Sequence, residues 1–405
     1  MQFFQRWIRI SLFNLLLVSS IGVTLRYKIA FSLPFIDQKH LLHGHSHFAF
    51  AGWVTQALMV LLVAYLAGQA GTGILNRYKW LLLANLFTAY GMLVAFPIQG
   101  YGLYSIIFST ASVFVSYVFA VMYWKDINKL QSGNVSHLWF KAALLFNAIS
   151  SLGAFALAGM MISRIIHQKW YLAAEYFYLH FQYNGWFYFA CMGLFTARLI
   201  NAGIPQRPLR YVFWLFASAL IPAYLLSILW VDFRFGIYII IVLAAFIQLL
   251  SWGWLLSILR KYAGMLKPSF SLTAKWLFYL AGIALSVKLL LQLGSVIPSL
   301  SDLSYGFRPI IIGYLHLVLL GIITLSIIGF MVADGHIIIN KMTLAGIIVF
   351  TSGIIVNEIL LMMQGVWALS YNNILYINEM LFITACVMFT GLILINLNRK
   401  NKFQT

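Results

Sequence analysis

The chain has 405 residues, 63% hydrophobic and 17% aromatic, with 8% charged, a net charge of +18 and a mean hydropathy of +0.92. Soluble domains carry roughly 25% charged residues, so the composition excludes a soluble globular fold. The apolar runs are about 20 residues long, which excludes a transmembrane β-barrel built from alternating segments of about ten.

In chain order, spans are expected near 7–25, 46–68, 79–98, 102–124, 138–162 and 170–198, then near 209–231, 235–259, 274–296, 309–332, 341–363 and 373–397. Residues 7–25 imitate the apolar core of a signal peptide. No small-residue cleavage site follows before Arg26 and Lys28, so they read as an uncleaved first span. The connectors are too short to fold separately. The expectation is therefore all-α: one polytopic domain of twelve transmembrane helices over residues 1–405.

The basic charge follows the connectors. Arg6, Arg9, Arg77, Lys79, Lys125, Lys129 and Lys141 fall on one side, as do Arg198, Arg207, Arg210, Arg260, Lys261, Lys267, Lys275 and the basic residues near the C-terminus. The opposite connectors are poorer in Lys and Arg. This positive-inside bias sets both termini in the cytoplasm of a multi-pass protein of the cell (inner) membrane. It makes the lipid bilayer, not nucleic acid, the partner of the positive charge. Cys191 and Cys386 both fall inside spans and read as small buried residues.

Ionisable groups inside a membrane are expensive and mark candidate sites. On the topology above, nearly all of them gather in the outer half: His43, His45 and His47 on span 2, Glu175 and His180 on span 6, His316 on span 10, Glu358 on span 11 and Glu379 on span 12. Lys288 on span 9 lies near mid-depth, with Gln292 one turn further on. These are candidates to balance anionic groups, to carry protons, or to form a buried Lys–Glu pair.

Four of the nine histidines crowd the segment QKHLLHGHSHFAFAGW, residues 38–53. His43 and His47 are four apart and share a helix face, which His40 joins if the helix starts early, while His45 points nearly the other way. A six-coordinate haem needs two imidazoles from different helices at matching depth. His45 or His47 on span 2 and His316 on span 10 meet that requirement. Both HSHFAFAGW and YLHLVLLGI place a glycine five residues after a histidine, Gly52 after His47 and Gly321 after His316, which leaves room for a macrocycle or a close helix. The other histidines of the cluster, His43 among them, are candidates for a second metal or an anionic group.

Twelve spans with internal termini, and histidines near the outer ends of spans 2, 6 and 10, resemble the catalytic subunit of the haem–copper oxidase superfamily. The likeness is to its nitric oxide reductase branch and to the related NnrS-like membrane proteins. HSHFAFAG resembles that branch's HGHLAFFG-type motif, YLHFQYNGW around His180 its span-6 motif, and GYLHLVLLG its span-10 position. The resemblance implies an oxidase subunit I-like bundle, haem b on His45 or His47 and His316, and His180 as the span-6 ligand of copper or another transition metal. It also implies a respiratory complex or electron donor as partner.

The departures are specific. Tyr314 stands where the family holds its catalytic haem, span 7 contributes no histidine, and Asn184 replaces a glutamate. The usual binuclear centre cannot form, which leaves electron transfer or a role in NO and respiratory metabolism. Two other classes compete: a twelve-helix secondary transporter, and a metal-handling or assembly protein on a borrowed scaffold.

Overall fold

The computed structural model describes residues 2–165, 167–231, 233–298, 300, 308–369, 372 and 374–397. Among them there is helix and no strand. The long helical runs are α1 (Gln2–Phe31), α2 (Gln38–Ala70), α3 (Thr72–Gln99), α4 (Leu103–Ile127), α5 (Val135–Ile162) and α6 (168–201), followed by α7 (Gln206–Ile228), α8 (Phe235–Lys261), α9 (Leu272–Gly294), α10 (Arg308–Ala333), α11 (Lys341–Leu369) and α12 (Ile377–Asn396). Among the described residues, eleven helices are long and apolar enough to cross a membrane. The run outside that set is α6, whose first half carries Lys169, Glu175, His180, Gln182 and Asn184.

Side-chain caps set several starts. Asp37 accepts from the His40 backbone N–H at the head of α2, Asn134 from Ser136 at α5, Ser271 from Ala274 at α9, and Asn340 from Thr343 at α11. Gly100 ends α3 at φ +60°, where a side chain is strained, and a Cβ there would lie 2.5 Å from His40 Nε2. The first helix runs past its expected end to Phe31, which brings Arg26 and Lys28 inside it.

The helices form two compact units that interleave along the sequence. One draws on Met1–Phe119, Arg308–His316 and Ile327–Thr405, the other on Ala120–Phe307 and Leu317–Ser326. In the first, α1 packs on α12 and on α2, α2 on α3, α11 on α12, and the start of α10 on α11. In the second, α5 packs on α6 and α7, α7 on α8, and α9 on α8 and on the middle of α10. The windows of α2 and α10 are each 78% buried, which makes them interior helices, whereas only 11% of the α4 window is buried. The apolar outer faces, for example Ile107, Phe114 and Val121 of α4, suit contact with lipid.

Three runs change to π-helix in the middle: α2 at Ala49–Thr55, α6 at Phe181–Phe187 and α10 at Leu317–Thr324. A π turn disturbs the ordinary i→i−4 ladder, and side chains can take up the carbonyls it displaces. In α2 they do. Asn14 donates to the Gly52 carbonyl and receives the Tyr90 hydroxyl at 2.9 Å, while Asn85 donates to the Ala51 carbonyl at 3.1 Å and to Gln56 Oε1 at 2.8 Å. Asn14 and Asn85 are both fully buried. Replacing Asn14 by Leu strips the Gly52 carbonyl and the Tyr90 hydroxyl of partners together, and is expected to destabilise the protein by about 1–3 kcal/mol. A melting curve in detergent measures it, and an unchanged midpoint contradicts it.

Candidate functional site

The Asp37 cap starts α2 early enough that His40, His43 and His47 do share one face, turned toward α3 and the residues after it. His40 sits over Gly100, His43 meets the Tyr101 ring edge-to-face at 4.7 Å, and His47 stacks on Phe96 at 4.2 Å with rings 10° from parallel. His47 Nε2 also lies 3.3 Å from the Tyr101 hydroxyl. The His43 Nε2 atom is buried without a partner.

The cap has a pH signature. The Asp37 carboxylate accepts the His40 backbone N–H at 2.8 Å, and this hydrogen bond holds its pKa below the ordinary 3.8. Its stabilisation of the first turn is full above that ordinary value and is lost as pH falls through the depressed one. Hydrogen exchange of the amides at 39–41 is expected to rise selectively in Asp37→Ala at neutral pH. In the native protein the same protection should fade only on strong acidification. Equal protection in both proteins at neutral pH would contradict the cap.

His45 faces the other way, toward α1. Its Cε1 lies 3.5 Å from where a Cβ on Gly22 would stand, one ring nitrogen donates to the Val18 carbonyl, and Nδ1 is buried with no partner. His316, at the end of the first α-helical part of α10, belongs to the same unit. Its Nδ1 lies 2.8 Å from the Ile312 carbonyl, so Nδ1–H donates and Nε2 keeps its lone pair, with no hydrogen-bond partner among the described residues. His45 and Arg26 are both electrostatic neighbours of His316. Arg26 in turn feels Glu358 on α11, whose Oε1 accepts from Asn357 at 3.0 Å.

Of the two span-2 candidates, His45 is the electrostatic neighbour of His316, while His47 packs against Phe96 and Tyr101. His45 and His316 are thus two imidazoles from different helices, each with one ring nitrogen that has no hydrogen-bond partner among the described residues, and the Arg26 guanidinium is an electrostatic neighbour of both.

His180 does not match a metal ligand. Its Nε2 lies 2.9 Å from the Leu220 carbonyl, and its Nδ1 accepts from Asn184 at 3.2 Å, so both ring nitrogens are engaged and the ring is held as a buried core histidine. Gln182 is likewise engaged, donating to Asn147 at 2.9 Å and Ser150 at 2.8 Å. Among the described residues no three His, Cys, Asp or Glu side chains come together in a group that could hold a metal ion.

Of the alternatives for Lys288, the buried Lys–Glu pair is not formed: Lys288 has no ion pair among the described residues.

Two features are not evident from the sequence. The first is Arg26, which lies inside the first helix, beyond the span end expected at residue 25. The second is a repeat: His47, His180 and His316 each precede the π-helical segment of their helix, and each has a glycine five residues on, Gly52, Gly185 and Gly321. HFAFAGW, HFQYNGW and HLVLLGI are three copies of one device, legible in the sequence once the third glycine is counted. The chain matches no protein-family model and no curated protein.

Proposed function

We propose that the chain is a multi-pass inner-membrane haem protein on an oxidase subunit I-like scaffold of twelve helices with both termini cytoplasmic. It carries haem b and serves electron transfer or the handling of NO in respiratory metabolism, without a binuclear centre. The observation that supports this reading is the His45–His316 pair beside Arg26. When bound, the haem supplies reversible one-electron chemistry.

The residues around it do the rest. The Ile312 carbonyl orients the His316 ring by taking its Nδ1–H, which leaves Nε2 as the ligand atom. His45 would supply the second imidazole. Arg26 supplies positive charge for the propionates, and Glu358 moderates it. The apolar interior of α2 and α10 keeps water away, favouring electron exchange over side reactions. A donor on the outer side of the membrane, or a respiratory complex, is the partner that this depth suits.

A reduced-minus-oxidised visible spectrum of protein expressed with ample haem tests the reading. A sharp b-type α-band supports it. A colourless protein that refuses added haemin overturns it and moves transport or complex assembly to the front.

A further inference from the structure

The second unit contains a buried lysine with no counter-charge among the described residues. Lys288 on α9 is 5% exposed and makes neither a hydrogen bond nor an ion pair among the described residues. An ammonium held this way inside a membrane protein demands a partner. The electrostatic neighbour it does have, His180, brings no negative charge.

Lys288 lines a cavity of about 20 Å³. That is room for one or two water-sized spheres. Its other polar walls are Tyr183, Asn184 and Tyr188 from α6 and Gln248 from α8. Tyr188 is 9% exposed, and its buried hydroxyl has no partner. Gln248, 3% exposed, accepts from Gln292 Nε2 at 3.3 Å through Oε1, which leaves its own amide N–H groups to donate. Asn184, 7% exposed, uses one amide hydrogen on His180 Nδ1 and keeps the other. No carboxylate lines the cavity. The wall thus offers the Lys288 amine, a hydroxyl and amide N–H groups around a space for one or two water-sized spheres.

We propose that this cavity binds one small monovalent anion of the halide class, held by the Lys288 ammonium with the Tyr188 hydroxyl and the Asn184 and Gln248 amides. A monatomic anion satisfies the donors in any direction and neutralises the cation, which a water molecule cannot do. This site is separate from the His45–His316 pair and stands whether or not haem is bound there.

The experiment is equilibrium binding of radiolabelled chloride to the full-length protein in detergent, at mildly acidic pH and constant ionic strength with gluconate as the balancing anion. Saturable binding of one chloride per chain is expected, with chloride raising the melting temperature. Lys288→Met abolishes both effects, and Tyr188→Phe weakens binding about tenfold, the loss of one hydrogen bond to a charged group. Lys275→Met, on a half-buried lysine that does not line the cavity, leaves binding unchanged. Should Lys288→Met fail to fold, Tyr188→Phe decides. Absence of saturable chloride binding, or equal binding in the native protein and Tyr188→Phe, overturns the proposal.

Discussion

His45→Ala and His316→Ala each abolish the b-type α-band of the haem-loaded protein, whereas His47→Phe retains it; this is the expected outcome with the largest effect. Removing either imidazole leaves a haem with one axial ligand at most, so the low-spin signal disappears even where some haem is retained. The contrast with His47 carries the discrimination. That ring stacks on Phe96 and reaches the Tyr101 hydroxyl, and Phe preserves the stack while losing only a 3.3 Å contact. A spectrum lost in His47→Phe and kept in His45→Ala would reverse the assignment within α2. Arg26→Gln extends the test to the surroundings. A guanidinium next to the site favours the added electron, so its removal is expected to lower the midpoint potential while the α-band stays. An unchanged potential would place Arg26 outside the site's field.

The second large effect concerns packing. Gly391→Val is expected to destabilise the protein by about 3 kcal/mol, the upper end of overpacking penalties. A Cβ at Gly391 on α12 would lie 2.6 Å from the Phe350 backbone nitrogen and 2.9 Å from the Gly346 carbonyl of α11. Those are main-chain atoms and cannot rotate aside, so the two helices must separate. A Cβ at Gly346 meets the Gly391 carbonyl at 2.8 Å, the same contact approached from the other helix. Small residues at such crossings let helix backbones approach inside a membrane, where no hydrophobic force drives helices together. Gly253→Ala on α8 is the control. Nothing lies within 4 Å of its added Cβ, so stability holds or rises by up to about 1 kcal/mol. Melting curves of both variants in one detergent measure the difference, and equal midpoints would remove the close-packing argument.

Much of the helical framework was legible in the sequence because long apolar runs have one stable solution in lipid, with every backbone group bonded inside its own helix. Eleven runs qualify as spans on this ground. The run at 168–201 falls short because its polar residues serve the interior: Gln182 and Asn184 bond to Asn147, Ser150 and His180, partners that only packing supplies. The end of the first span was misplaced by local charge. Arg26 and Lys28 read as a boundary, yet Lys28 reaches the Leu33 carbonyl and the helix continues to Phe31. The α11–α12 contact was equally hidden, since a glycine's neighbours are written nowhere in the local sequence.

At the candidate site the same division holds. Residue spacing alone determined that His43 and His47 share a face, that His45 opposes them, and that His316 is an imidazole of another helix, because helical periodicity is a property of the chain by itself. Tertiary structure decided which face meets what. It put Phe96 and Tyr101 against His47, made His45 and Arg26 electrostatic neighbours of His316, closed both nitrogens of His180, and left Lys288 without an ion pair among the described residues. Pairing between helices depends on rotation about each axis and on which helices become neighbours. Both are set by side-chain packing across the whole molecule, and neither leaves a local mark in the sequence.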